Sequence, residues 1–272
     1  GGPLRTAENL DWIGRVWRHV VPLVQSSIAD VPEARFNFEK MIAPESIAAL
    51  REQALQNTPI AAEQEVVLWL DDSFTDNAMA ATTHFAVADA SGNVVCATQS
   101  LSLHFGAGVV APGTGVVLND TMSNFAYFDA KSVNYIAPGK RPRSTIAPSI
   151  VFRDGKPQFA IGIPGSSRIP TAILQVLIDH LVLHRPLADA IGDTRVHLKG
   201  GQGWNGEETL EAEQSLTPKV VRDLEQRGWK VELPEPPNTG RHFGGINVIE
   251  LNPDGSYTGY ADPRRTNAAV GY

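Results

Sequence analysis

The chain lacks most of the residues that would mark a specialised chemistry. Only one of its 272 residues is cysteine, Cys96. A single thiol forms no internal disulfide, and without a CxxC pair or a His/Cys cluster no metal site is expected. Cys96 sits in the apolar run Val94-Val95-Cys96-Ala97 and reads as a core thiol rather than a nucleophile. Basic residues number 23 against 30 acidic, a formal net charge of -7, and they form no run or stripe. That pattern argues against nucleic acid as a partner, and the acidic balance speaks mainly to solubility. No apolar run reaches the ~18 residues needed to cross a bilayer, so no membrane partner is expected. The opening Gly1-Gly2-Pro3-Leu4 has neither an initiator methionine nor a secretion signal and reads as a trimmed end. What is present is ordinary: 42% hydrophobic and 19% charged residues, enough apolar material for a sizeable core.

Hydrophobic spacing predicts the elements. Leu10, Ile13, Trp17, Val20, Val21 and Val24 recur at helical intervals, with Pro22 expected to break or end that helix. A second helix is expected from Pro44, carrying Ile47, Leu50, Ala54 and Leu55 on one side. Glu65 to Leu70 reads as a short strand. The stretch 71–81, polar and then small, reads as a mobile linker. Beyond it strands dominate. Phe85–Ala88 and Val94–Ser102 flank a turn at 89–93, Val116–Leu118 is short, and Ser149–Arg153 and Gln158–Ile163 flank Asp154-Gly155. Arg168 to His184 is apolar nearly all round and is expected to be a largely buried helix. Thr217, Pro218 and Gly228 supply cap, first turn and terminator for a later helix. Val231–Leu233 and Gly245–Leu251 are expected to close the fold as strands. Trp204 and Trp229 fall in stretches that read as polar loops. Helices and strands in blocks suggest a layered α/β (α+β) fold.

One junction carries chemistry. Small residues Ala80-Ala81 meet Thr82-Thr83-His84 at the start of a strand. A threonine hydroxyl needs an adjacent base, and a freed α-amine on the same residue can serve. Taken alone, a Thr-Thr pair is ordinary strand propensity.

Further segments change the weight of that junction. Thr82-Thr83-His84-Phe85, Asp89-Ala90-Ser91-Gly92-Asn93, Phe105-Gly106-Ala107-Gly108, Leu118-Asn119-Asp120, Lys140-Arg141-Pro142-Arg143-Ser144-Thr145, Pro164-Gly165-Ser166-Ser167-Arg168-Ile169 and Ala261-Asp262-Pro263-Arg264-Arg265 follow in order. Collinearly from Thr82 to Tyr272 they resemble the small subunit of the γ-glutamyltransferase family. Residues 1–70 resemble, less closely, the end of its large subunit. The resemblance implies the four-layer αββα sandwich of N-terminal-nucleophile hydrolases. Residues 1–81 would be the end of the large subunit plus linker, and 82–272 the small catalytic subunit, together one domain. It implies autocleavage between Ala81 and Thr82, attack by Thr82 on an amide carbonyl, and its own α-amine as base and then acid. Ser100 matches the family's threonine that hydrogen-bonds the nucleophile. Gly165 and Ser166 match the Gly-Gly pair whose N–H groups form the oxyanion hole, the second provided its backbone tolerates a Cβ. Ser144 and Thr145 match the serine pair that contacts the substrate carboxylate.

The pocket departs from the family. Where an Asn, a Gln and an Asp accept the substrate α-ammonium, this chain has Ser102, Thr121 and Asn124. A neutral Asn124 forfeits a charge-assisted bond. The resemblance therefore leaves open a γ-glutamyl transferase or hydrolase, an oxamate- or cephalosporin-acylase-like amidohydrolase, and an uncleaved inactive paralogue that binds. It implies no metal or organic cofactor, a small-molecule amide as partner, two subunits from one precursor with room for a dimer of these, and either periplasm or cytoplasm. His84 is expected to be structural. His104, His180, His184, His197 and His242 show no ligand spacing. Lys140-Arg141 reads as a solvated pair. For Arg168, a structural ion pair and a substrate contact stand equal.

Overall fold

A computed structural model describes residues 3–56, 80–201, 204–213, 216–233 and 243–271. The expected strand at 65–70, most of the expected linker and His242 lie outside the described residues.

Helix α1, Ala7–Ser27, begins at Thr6, whose hydroxyl accepts from the Asn9 N–H. It runs through Pro22 rather than ending there. Proline removes the N–H that would reach back one turn and its ring crowds the carbonyl there, but the last turn is secured from outside. Asn37 Nδ2 donates to Ser27 O at 2.9 Å, and Arg143 reaches Gln25 O and Ile28 O. Helix α2, Ala34–Met41, gave no clear signal in the sequence; α3, Pro44–Gln56, starts where expected. The face of α3 is only partly covered: Ala54 is buried, while Ile47 and Leu55 are exposed.

Strands β1 (Ala80–Ala88) and β2 (Val94–Leu103) form an antiparallel hairpin. Its turn is tied by Asp89, whose carboxylate accepts from the Ser91 and Asn93 N–H groups. Ala80 and Ala81, expected in the linker, belong to β1. Strands β3 (Ser149–Arg153), β4 (Lys156–Gly162), β8 (Asn247–Leu251) and β9 (Tyr257–Ala261) make a second antiparallel sheet in the order β3-β4-β8-β9. The hairpin lies face to face with that sheet, β1 over β4 and β8, β2 over β4. The inward set Thr82, His84, Ala86 alternates with outward Thr83, Phe85 and Val87, the period of a strand covered on one side. The segment 116–118 makes only a bridge, Val117 to Val110.

On the other side of the four-stranded sheet lie α4 (Ile169–Leu177) and α5 (Leu187–Gly192). Phe159, Ile161, Ile173, Val176, Ile191 and Val248 form one core between them. The expected helix over 168–184 is not uniform: a 3-10 turn at Ser166–Arg168 precedes α4, and a π turn at Ile178–Val182 follows it. Nor is it buried all round, since Leu174 and Val182 reach solvent.

A third sheet, β5 (Val196–Gly201), β6 (Trp204–Ala212) and β7 (Lys230–Glu232), packs with α1 and α6 (Pro218–Gln226) around a second core of Leu10, Leu198, Leu210, Leu224 and Trp229. Trp229 is thus a core residue, not a loop residue, and Trp204 belongs to a strand. A Cβ at Gly14 would come 2.8 Å from the Trp229 ring, so the small residue lets α1 close onto it. Trp229 Nε1 donates to Asp11 at 2.8 Å, Arg227 pairs with Asp11 at 3.0 Å, and Arg18 donates to Glu208 at 2.8 Å. Arg5 and Arg185 meet buried Asp179 at 3.6 and 3.2 Å. Each of these links except Arg185–Asp179 joins residues before position 57 to residues after position 81. The architecture is α+β, with two sheets stacked face to face and helices on the outside of one. No described helix is long and apolar enough to cross a membrane.

Candidate active site

Thr82 stands in β1 at an irregularity. Ala81 pairs with Ser102 but Thr82 pairs with Ser100, so Leu101 is an extra residue opposite the Ala81–Thr82 bond. Such a bulge re-aims side chains beside it. Here it brings Thr82 Oγ1 to 2.9 Å from Ser100 Oγ, and Ser100 Oγ also accepts from the Ser102 N–H at 2.9 Å. In the Thr82–Ser100 contact either hydroxyl can donate. Ser102 holds φ +70, a left-handed conformation that L residues adopt only under constraint. Asp120 supplies the constraint: its N–H donates to Leu101 O and its carboxylate accepts from Leu103 N, both at 3.2 Å.

His84, two residues on, is a packing residue. Only 3% of it is exposed, Nδ1 lies 2.8 Å from Thr98 Oγ1, and Nε2 lies 3.7 Å from Cys96 Sγ. Burial pulls its pKa down to about 4, so it is neutral near pH 7. Its carbonyl accepts from Asn247 Nδ2 at 2.8 Å, which ties β1 to the second sheet. Cys96 behaves as a core thiol, with its pKa pushed up by burial and its sulfur 3.4 Å from Ile161 O.

Strand β4 ends at Gly162 and leads into Pro164-Gly165-Ser166. Gly165 has φ +155 and Ser166 φ +53, so the second position does hold a Cβ in the left-handed region. That placement costs about 1–2 kcal/mol for a non-glycine residue. The turn is wedged from behind. Gly244 leaves no room for a Cβ, which would fall 1.6 Å from Pro164 O, and buried Arg195 donates to the carbonyls of Phe243 and Gly244. Arg168 closes the turn, its N–H donating to Gly165 O at 3.0 Å. Its side chain forks onto Glu211 at 2.8 and 3.0 Å with 1% exposure, the structural alternative of the two left open for it. The Asp262-Pro263-Arg264 segment is structural too: fully buried Asp262 pairs with Arg195 and Arg264 and accepts from Ile246 N.

The remaining expected residues form a connected shelf. Thr121 and Asn124 bound a 3-10 turn that follows Asp120, and Thr121 N–H donates to Asn119. Asn124 Nδ2 donates to Arg143 O at 3.2 Å, which joins that turn to Ser144-Thr145. Ser144 is exposed and its Oγ accepts from Ile146 N, leaving its O–H to donate outward. Two residues of this shelf had no role assigned from the sequence: Asn134, and Arg143 within the 140–145 segment. Buried Asn134 donates to Asn124 O at 2.7 Å and accepts from Arg143 N at 3.0 Å. Lys140, expected to be solvated, donates to Tyr135 O at 3.1 Å, whereas Arg141 is exposed and pairs with Asp30. His197 is fully packed, Nδ1 at 2.9 Å from Thr171, and burial lowers its pKa to about 3. Among the described residues no cluster of three His, Cys, Asp or Glu could hold a metal ion.

A strand carrying Thr82 at a bulge, a left-handed turn beyond β4 and a polar shelf, all on stacked sheets, fit an N-terminal-nucleophile hydrolase fold. The family model for gamma-glutamyltranspeptidase matches residues 5–272, and the chain belongs to that family. The acylase ACY 1 proenzyme of Pseudomonas sp. (strain V22) is 41% identical over 181 residues, covering 66% of this chain and 30% of the relative. The glutathione hydrolase proenzyme of Escherichia coli (strain K12) is 34% identical over 192 residues, 67% of this chain and 31% of the relative. The chain therefore spans about a third of the length of these curated relatives. The gamma-glutamyltranspeptidase from Pseudomonas nitroreducens complexed with L-DON superposes with a TM-score of 0.60 at 34% identity, covering 70% of this chain and 99% of that one.

Proposed function

We propose that the protein is an autoprocessing threonine amide hydrolase or acyltransferase, cut between Ala81 and Thr82 and acting through an acyl-Thr82 intermediate. The observation that carries this reading is the 2.9 Å contact between Thr82 Oγ1 and Ser100 Oγ at a bulge opposite the Ala81–Thr82 bond. Cleavage frees the Thr82 α-amine, which takes the hydroxyl proton as Oγ1 attacks the amide carbonyl. The same amine returns the proton to the departing amine, and water or a second amine then releases the acyl group. Ser100 donates toward the nucleophile oxygen. The N–H groups of Gly165 and Ser166 are the candidate donors to the oxyanion. The two parts of the chain, 1–81 and 82–272, would then be the end of a large subunit and a small catalytic subunit, as the proenzyme descriptions of the relatives suggest.

The acyl group is proposed to carry a carboxylate, received by Ser144 and Thr145. Within that reading, γ-glutamyl and related carboxylate-bearing amides are the main substrate class, and an amidohydrolase or acylase specificity is the alternative. Asn124 has its amide N–H turned onto Arg143 O, so it offers the pocket a neutral carbonyl oxygen rather than a charge. Ser102 and Thr121 are the other proposed pocket residues.

Intact-mass spectrometry on the full-length protein tests the core of the proposal. Two fragments are expected, one of them beginning at Thr82, and a single uncut mass for Thr82→Ala. A single mass in the wild type would leave the uncleaved binding paralogue as the better account.

A further inference from the structure

We propose that Arg143 is a positioning residue for substrate specificity: it fastens the Ser144-Thr145 carboxylate shelf to the C-terminus of helix α1. The inference rests on the carboxylate reading of Ser144 and Thr145 made above.

Arg143 immediately precedes the pair, and its N–H, carbonyl, Nε and Nη2 are all engaged. Nε donates to Ile28 O at 2.8 Å and Nη2 donates to Gln25 O, both at the end of α1. Its N–H donates to Asn134 Oδ1 at 3.0 Å and its carbonyl accepts from Asn124 Nδ2 at 3.2 Å. The last turn of α1 holds no basic residue of its own. A helix C-terminus presents unpaired carbonyls and a partial negative charge, which a cation satisfies. Arg143 supplies that cation from a segment more than a hundred residues away. Among the described residues no carboxylate pairs with it, and burial alone lowers its pKa to about 10. The guanidinium is thus held by helix carbonyls instead of by an anion that would neutralise it, one residue from a site read as binding a carboxylate.

A second anchor runs alongside. Arg141 N–H donates to Asp30 Oδ2 at 2.8 Å and its side chain pairs with the same carboxylate. That pair is exposed, and exposed pairs contribute little; Arg143 is half-buried and carries the attachment. The consequence is that the shelf's position is set by α1, on the far side of the Ala81–Thr82 bond, while the nucleophile's position is set by the sheets. Loosening Arg143 moves the shelf without moving Thr82.

This separation is tested in the full-length, processed protein with two anilides, glutaryl p-nitroanilide and butyryl p-nitroanilide, which differ in the carboxylate. For Arg143→Gln and Arg143→Ala we expect KM for the glutaryl substrate to rise about tenfold, the factor that a 1.4 kcal/mol loss gives. Its kcat should stay within twofold, and the butyryl kcat/KM should not change. Arg143→Lys keeps the charge and one bond and should fall between. If the wild type shows no preference for glutaryl over butyryl, the carboxylate reading fails and this inference with it. If the wild type prefers glutaryl but the variants lose both substrates equally, or neither, only the positioning role is overturned. Loss of processing in all three variants would place Arg143 in folding and overturn it as well.

Discussion

His84 lies flat against Gly162: a Cβ built on the glycine would fall 2.2 Å from the imidazole ring. Nothing larger than hydrogen fits where β1 meets β4 at this point. Gly162→Ala must therefore push β1 off the second sheet, and overpacking of this kind destabilises by roughly 1–3 kcal/mol. Because His84 is two residues from Thr82, the shift also misplaces the hydroxyl. Urea unfolding should report the destabilisation, and a time course of intact mass should show slower cutting at Ala81–Thr82.

Ser100→Ala removes the hydroxyl that meets Thr82 Oγ1 and accepts from the Ser102 N–H. Ser100 meets the attacking oxygen and not the oxyanion, and loss of one hydrogen bond of about 1.5 kcal/mol lowers a rate roughly tenfold. We expect a drop of about that size in processing rate and in kcat of whatever fraction is cut. Ser100→Thr keeps the oxygen and should recover most of it. Equal rates for Ser100→Ala and wild type would remove Ser100 from the mechanism.

Asn124→Asp exchanges a donor for a charge. An ionised carboxylate cannot donate to Arg143 O, so the shelf loses one link while gaining an acceptor for a substrate ammonium. Hydrogen bonds to charged groups contribute about 1.5–3 kcal/mol. The ratio of kcat/KM for γ-glutamyl over glutaryl p-nitroanilide should rise about tenfold or more, with a lowered thermal midpoint. An unchanged ratio would separate Asn124 from amine recognition.

Two buried histidines make stability depend on pH. His84 and His197 titrate near 4 and 3 in the folded chain against 6.5 unfolded, both through burial. Their depressed values mean that the unfolded chain binds protons first. Stability is complete above pH 6.5 and falls as the pH drops towards 4. For His84 the full loss is on the order of 3 kcal/mol, at about 1.4 kcal/mol per unit. Thermal midpoints between pH 7 and 4.5 should decline, and His197→Gln should reduce the slope by about one proton.

Glu211→Ala removes the carboxylate onto which buried Arg168 forks. The guanidinium is 1% exposed. Removing one member of a buried pair destabilises by about 3–5 kcal/mol, because a charge is left in a dry site. Arg168 also closes the Gly165 turn through its backbone, so activity should fall together with the midpoint in a thermal scan.

What the sequence made legible was local. The β1–β2 turn announces itself because Asp89 caps its own loop, and α6 because Thr217, Pro218 and Gly228 act within one turn of its ends. Thr82 stood out at a junction of small residues and a strand start, Ser100 and the Gly165 turn came from resemblance, and the bulge shows how Thr82 and Ser100 meet. The losses were long-range. Pro22 interrupts α1 by local rules, yet the helix continues because Arg143 and Asn37 hold its end. Trp229 in a polar stretch becomes core because Asp11 receives its N–H across 218 positions of chain. Strands β5 and β6 lack a clean alternation since one face meets α1 and buried ion pairs sit among their residues. Asn134 carries no signal at all: its role is to satisfy two backbone groups on other loops.

If the chain is cut between Ala81 and Thr82 as proposed, the links from α1 to the later elements acquire a different meaning. Asp11 to Trp229, Arg18 to Glu208, Arg5 to Asp179 and Arg143 to the end of α1 then join two separate polypeptides. Unfolding becomes a dissociation as well as a melting, so the midpoint rises with protein concentration. Pieces that drift apart must find each other again, and the half-life of the processed protein is set by how fast these contacts open, not by an equilibrium.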